Sequence, residues 1–168
     1  GPVGPAEVNA GNYLFAAAWL WRNIADLPLS PKGEYYLTHL IAAATDLGNP
    51  AVPVLADPDL VVDFDDRRGL AIAERILRTR ILDQHMLNGV TITDPATTYI
   101  DAGVQLAQDV TVLPNCYLQG ATTVATGSTI GPGTTLRNAT IGPDCTVQSS
   151  NIEDSRVGAR VNVGPFAH

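Results

Sequence analysis

From Ile100 an aliphatic side chain returns every six residues: Ile100, Leu106, Val112, Leu118, Val124, Ile130 and Leu136. The step then shortens to five in places, giving Ile141, Val147, Ile152, Val157 and Val163. A fixed internal period constrains the fold more than any local propensity does. Four residues after most of these aliphatics stands a small or β-branched residue: Val104, Val110, Cys116, Thr122, Ser128, Thr134, Cys145 and Val161. The residues between are mostly Gly, Asp, Asn, Pro and Thr, which favour turns. A six-residue period suits neither an amphipathic helix nor a hairpin. It suits a coil of short parallel strands joined by tight corners. Each aliphatic residue then points inward and stacks on its counterpart one coil away, so the core runs along an axis.

Composition narrows the partners. The formal net charge is −7, and no basic stripe or Lys/Arg block is present, which argues against nucleic acid or an anionic membrane. No apolar run approaches the ~18 residues of a membrane-spanning helix. The beginning of the chain, Gly1-Pro2-Val3-Gly4-Pro5, lacks a basic segment followed by an apolar core, so no secretory signal is expected. Cys116 and Cys145 occupy the same small-residue slot of two repeats, which predicts buried small hydrophobes. Two such cysteines give no disulfide framework and imply a reducing, cytoplasmic setting.

Before the repeats the pattern differs. Val8, Ala10 and Leu14 alternate with polar positions and predict a short strand. Ala16–Asp26 predicts a helix, with Trp19, Leu20, Trp21 and Ile24 on its apolar face. After the loop Pro28–Gly33, Glu34–Asp46 predicts a second helix with Tyr35, Leu37, Leu40, Ile41 and Ala44 buried. Val52–Leu55 and Leu60–Phe64 are short apolar runs expected to be strands. From Asp66 to Leu87 no Pro interrupts, and Leu70, Ala73, Leu77 and Ile81 mark one helix face. Asp66 is the expected N-cap, and Asn88-Gly89 the expected left-handed C-terminal cap. Glu74 and Arg78, four apart, are expected to pair on the solvent side. This long helix is a candidate arm between two domains. A strand is expected at Val90–Thr93, then a turn at Asp94-Pro95.

The repeats resemble the left-handed parallel β-helix of hexapeptide-repeat proteins. Four local strings extend the resemblance: Glu7–Gly11, Gly33–Thr38, the Asp66-Arg67 helix start, and His85–Pro95; the ending Ile152–His168 also fits. Together they resemble the bifunctional bacterial enzymes that make UDP-N-acetylglucosamine. In that family an N-acetylglucosamine-1-phosphate uridyltransferase domain is coupled to a glucosamine-1-phosphate N-acetyltransferase domain. The resemblance implies an α/β fragment of a nucleotidyltransferase domain over 1–65, a linker helix over 66–89, and a left-handed β-helix over 90–168. It also implies Mg²⁺ as cofactor, UTP and acetyl-CoA as co-substrates, a sugar nucleotide or sugar phosphate as ligand, and a homotrimer formed through the β-helix.

The match is to the middle of that family. Nothing here corresponds to its Gly-rich nucleotide loop, which presents backbone N–H groups to phosphate, or to its first metal-binding aspartate. The family's acetyltransferase Arg, Lys, His and Tyr would lie beyond His168. No catalytic residue is therefore expected within the chain, and no activity from it alone. The alternatives are a non-catalytic trimerising scaffold and a piece of another sugar-1-phosphate nucleotidyltransferase with an appended β-helix. The Asn88-Gly89-Val90 and Asp94-Pro95 junction argues against the last.

Three positions carry over as site residues. Asn9 matches the family position that hydrogen-bonds the sugar nucleotide, and an amide both donates and accepts. Its competing reading is a strand-end Asn satisfying local backbone. Thr38 sits where the family has a threonine near the substrate. His39, next to it, replaces the usual Asp and removes a fixed negative charge. A surface histidine on a helix is favoured there over a general base. Asp65 aligns with the Asn that completes the family's magnesium site, and a carboxylate is a good hard-cation ligand. With the partner aspartate missing, a solvated cap at the start of the arm is favoured for Asp65. Trp19, Trp21, Tyr35 and Tyr36 are expected to pack rather than to stack on a ligand.

Overall fold

The computed structural model describes residues 9–57 and 66–168. The chain separates into two compact units, 1–61 and 62–168.

The second unit is a parallel β-solenoid of about four coils, preceded by a helix. Its short strands fall into three sheets. One sheet stacks β1 (Thr91–Ile92), β4 (Thr111–Val112), β7 (Thr129–Ile130), β10 (Thr146–Val147) and β13 (Asn162–Val163). The next stacks β2 (Tyr99–Ile100), β5 (Tyr117–Gln119), β8 (Thr135–Arg137) and β11 (Asn151–Glu153). The third stacks β3 (Gln105–Leu106), β6 (Thr123–Val124), β9 (Thr140–Ile141) and β12 (Arg156–Val157). Consecutive strands never pair; each pairs with the strand one coil on, always in parallel.

The register is the hexad made visible. Ile92, Val112, Ile130, Val147 and Val163 lie over one another. So do Ile100, Leu118, Leu136 and Ile152, and likewise Leu106, Val124, Ile141 and Val157. Three hexads make one coil with one strand per sheet, which is why six-residue spacing yields three columns rather than one. The shortened steps after Leu136 are absorbed at the corners, and the columns stay aligned. Val112, Leu118, Ile130, Leu136 and Val147 have no exposed surface. Each such side chain contributes roughly 1.5–3 kcal/mol by its burial.

The small-residue slot lines the inside of the corners. Cys116 and Cys145 are free and buried, as expected. Thr122, Ser128 and Thr134 are buried too, and their hydroxyls are used. Ser128 Oγ donates to the Gly142 carbonyl and accepts from the Cys145 amide (2.8 and 3.0 Å). Thr122 Oγ1 donates to the Gln119 carbonyl and accepts from the Ala139 amide (2.7 and 3.2 Å). A buried hydroxyl without such partners would be costly. Corner residues Asn115, Asn138 and Asp144 take positive φ (61°, 48° and 57°), which short polar side chains tolerate better than most.

The helix before the solenoid, α3 (Arg67–Leu87), begins where expected. Asp66 Oδ1 accepts from the amides of Arg68 and Gly69, both at 2.8 Å. The Gly69 amide first, and then the Arg68 guanidinium on Oδ2, hold its carboxyl below the usual value. At 1.5 Å per residue the helix is roughly 30 Å long. Its docked face shares Ile81 with the expected one and otherwise differs. Leu82 is buried, with Ile81 and Met86 packed beside it on the solenoid core. Leu70 and Leu77 are 56% and 57% exposed. Only the last turns of α3 meet the solenoid, so the apolar spacing upstream has nothing in this unit to pack on.

In the first unit α1 spans Ala17–Asn23, continued by a 3-10 turn at Ile24–Asp26, and α2 spans Thr38–Asp46. Among the described residues no strand forms over 9–16 or 51–57. The expected strand at Leu60–Phe64 lies outside the described residues. The second helix starts four residues later than predicted because Tyr35 is taken by an antiparallel bridge to Leu29. Ser30 closes this turn: its amide donates to the Glu34 carbonyl, and its Oγ accepts from the Glu34 amide. Among the described apolar residues of this unit, Leu40 is buried, whereas Trp21 is 71% exposed and Tyr35 and Leu37 are also exposed. The packing expected for Trp21 and Tyr35 is therefore not found. Trp19, half-buried, stacks on Phe15 at 5.8 Å.

Candidate functional site

The three carried-over positions are built differently. Asn9 is exposed and holds a local turn. Its Oδ1 accepts from the Gly11 amide (3.0 Å), and its Nδ2 donates to the Tyr13 hydroxyl (2.6 Å). Both ends of the amide are thus engaged within four residues, one by a backbone amide and one by a side-chain hydroxyl. Thr38 is the first residue of α2, exposed, and the residue before it supplies no side-chain cap. Asp65 lies outside the described residues. Next to Thr38, His39 is half-buried, edge-on to Tyr36 at 6.0 Å, and its Nδ1 is buried without a hydrogen-bond partner.

Among the described residues no three of His, Cys, Asp and Glu come together to hold a metal. In the second unit a shallow hollow of about 380 Å³ opens at the last coil, lined by Asn151, Glu153, Ser155 and His168 among others. Glu153 accepts from Asn151 Nδ2 at 3.2 Å. Ile152, Val157, Val163 and Ala167 supply the rest of its lining, so the hollow is largely apolar with a few polar side chains at its edge.

What the strings at the junction do is structural. Asp94 Oδ1 accepts from the Ala96 amide and Oδ2 from Thr97 Oγ1 (3.1 and 2.8 Å), capping a 3-10 turn at Pro95–Thr97. Thr97 Oγ1 then accepts from the Asn115 amide one coil on (3.1 Å). Asp94-Pro95 therefore launches the first full coil. At the other end of the junction, the Val90 amide donates to the His85 carbonyl (3.1 Å) and the Asp109 amide to the Gly89 carbonyl (3.0 Å). His85 is half-buried here, and burial lowers its pKa.

One arrangement was missed by sequence reasoning. Arg78 does not reach into solvent toward Glu74. Its guanidinium lies over the Tyr99 ring, 4.3 Å from the centroid, and Tyr99 stacks on Tyr117 at 4.9 Å. One Arg78 nitrogen is buried without a hydrogen-bond partner, so the aromatic face is what compensates it. The tyrosine half was legible: Tyr99 and Tyr117 precede Ile100 and Leu118 in the same column and must lie one above the other on the outer face. The cation half required knowing how α3 crosses that face.

No established protein-family profile matches the chain. Curated relatives do. The chain is 39% identical over 163 residues to "Bifunctional protein GlmU" of Bifidobacterium animalis subsp. lactis, covering 96% of this chain and 35% of that protein. It is 37% identical over 164 residues to the protein of that name from Brevibacillus brevis, covering 96% and 36%. To the one from Corynebacterium jeikeium it is 40% identical over 164 residues, covering 96% and 34%. The chain spans about a third of the length of the curated relatives it matches. Along nearly all of its own length, this chain resembles part of the bifunctional protein GlmU.

Proposed function

We propose that the chain is the middle section of a GlmU-type enzyme of UDP-N-acetylglucosamine synthesis. Residues 1–65 would be the closing part of a nucleotidyltransferase domain, 66–89 the linker helix, and 90–168 the first coils of a left-handed β-helix. In that reading the whole enzyme transfers a uridylyl group from UTP to N-acetylglucosamine 1-phosphate. It also moves an acetyl group from acetyl-CoA to the amine of glucosamine 1-phosphate. What supports the reading is the three-column register, running from Ile92 to Val163, in a chain similar to part of GlmU over 96% of its length.

The role assigned to this chain's own residues is scaffolding. Charge-neutralising positioning is the core of phosphoryl-type transfer, and this reading assigns that task to other parts of the enzyme. They offer no donor set for Mg²⁺, and Asn9 spends both amide atoms on its own turn. No catalytic step is assigned to them. The three-sheet prism is what would associate, giving a cytoplasmic homotrimer whose sugar-phosphate ligands are held by parts of the enzyme outside this chain. No described helix is long and apolar enough to cross a membrane.

The purified chain should turn over neither UTP with N-acetylglucosamine 1-phosphate nor acetyl-CoA with glucosamine 1-phosphate. Turnover of either would overturn the scaffold role. Light scattering coupled to size exclusion should give three chains per particle; a strict monomer at micromolar concentration removes the trimerising part of the reading.

A further inference from the structure

Asn88-Gly89 is the chain's one Asn-Gly pair, the dipeptide most prone to spontaneous deamidation because glycine leaves the attacking nitrogen unhindered. Here the glycine is required by the fold. Gly89 has φ +90°, a conformation side chains rarely adopt, and a Cβ would sit 2.8 Å from Gln108 Cγ. Its carbonyl accepts the Asp109 amide (3.0 Å), tying the end of α3 to the first coil. The junction thus carries a chemically labile peptide whose glycine sits in a conformation that other residues rarely adopt.

We propose that Asn88 is a conformation-gated deamidation site, closed while α3 is docked and opened when its last turn unwinds. Ring closure needs the Gly89 nitrogen, after losing its proton to solvent base, to attack Asn88 Cγ. The Cγ–Nδ2 bond then breaks and ammonia leaves. Water opens the resulting succinimide at either carbonyl, giving Asp or isoaspartate; one water is consumed and no oxidant or reductant is involved.

Three features of the folded junction oppose this. The Gly89 amide donates to the Met86 carbonyl at 3.0 Å, which holds the proton that must leave. Asn88 has ψ 9° as the C-cap of α3, far from the eclipsed placement of the Gly89 nitrogen and Cβ that a five-membered ring requires. Asn88 Oδ1 accepts from Gln84 Nε2 (3.3 Å), restraining the side chain along the helix. All three are lost together if the last turn opens, while Asn88 itself is exposed and accessible to water throughout. The isoaspartyl product routes the main chain through Cγ and displaces Gly89 from Asp109. Either product also places a carboxylate at the negative end of the helix dipole. Deamidation would therefore resist redocking, and the site would act as a one-way record of junction opening. This holds whether or not the chain works within a bifunctional enzyme.

The test is peptide mapping by mass spectrometry with isoaspartate detection. The folded chain and the same chain in concentrated urea are aged at one mildly alkaline pH and one temperature. Local opening costs make the folded rate slower by about tenfold or more. Leu82→Ala, which loosens the buried anchor of α3, should raise the rate under native conditions toward the urea rate. Circular dichroism establishes that each native sample is folded. A ratio of folded to urea rates within about threefold of unity overturns the gating, as does an Asn88 that stays intact in urea.

Discussion

Truncating Arg78 and Tyr99 singly and together should reveal a coupling of about 1 kcal/mol between them. A guanidinium over an aromatic ring contributes ~0.5–1 kcal/mol when exposed and about 2 when desolvated. This pair lies between those limits: Tyr99 is 36% exposed, Arg78 is half-buried, and the separation is 4.3 Å. The two single variants will each cost more than the coupling. Tyr99→Ala also loses the stack on Tyr117, and Arg78→Ala also loses the apolar area of its half-buried stem. The double-mutant cycle removes those terms. Urea unfolding followed by far-UV circular dichroism suits the measurement, since the solenoid unit contains no tryptophan. A parallel cycle of Arg78→Ala with Glu74→Gln tests the helix-surface pair that the sequence suggests, which would give roughly 0.3–0.5 kcal/mol. The reasoning is refuted if the coupling to Glu74 equals or exceeds the coupling to Tyr99.

Ile130→Ala removes a fully buried side chain in the middle of the first column, between Val112 and Val147. It should cost about 2–5 kcal/mol in the same urea titration. Gly120→Ala puts a Cβ against Asn138 Oδ1 at a residue with φ +65°, and should cost roughly 2 kcal/mol; a neutral result would mean the corner is free to rearrange. His85 is held below its ordinary pKa of 6.5 by burial, so the unfolded chain binds its proton first. Stability should be unaffected by His85 above that pH and fall as pH drops below it, and His85→Gln should flatten this part of the pH profile. Burial also raises the Cys116 thiol, so alkylation under native conditions should lag far behind alkylation in urea when each adduct is mapped by mass.

The solenoid was readable because its rule is local. A hexad fixes which residue points inward, and parallel stacking repeats that choice coil after coil, so the inward residues from Ile100 to Val163 follow from spacing; Ile92 joins their first column in the structure. The cap at Asp66 and the turn at Asp94-Pro95 were readable for the same reason, since each bonds to amides within three residues. Asn9 divides the account: residue type and resemblance pointed to a ligand, and the structure gives both its amide atoms to Gly11 and Tyr13. Helical spacing gave the extent of α3 and one docked residue of its face, Ile81, but not Leu82 or Met86, and Leu70 and Leu77 keep the period without having a surface in their unit to cover.

The sequence by itself therefore determined the parallel coils, their inward columns, the polar corners and the helix that precedes them. Only the tertiary structure decided that α3 docks through Leu82 and not Leu77, that Arg78 caps a tyrosine stack, and that Asn88-Gly89 is locked at a junction. The physical reason is range. Period and capping are settled within a few residues. The crossing of a helix over a sheet depends on surfaces brought together from Arg78 to Tyr117, and no local pattern encodes their relative placement.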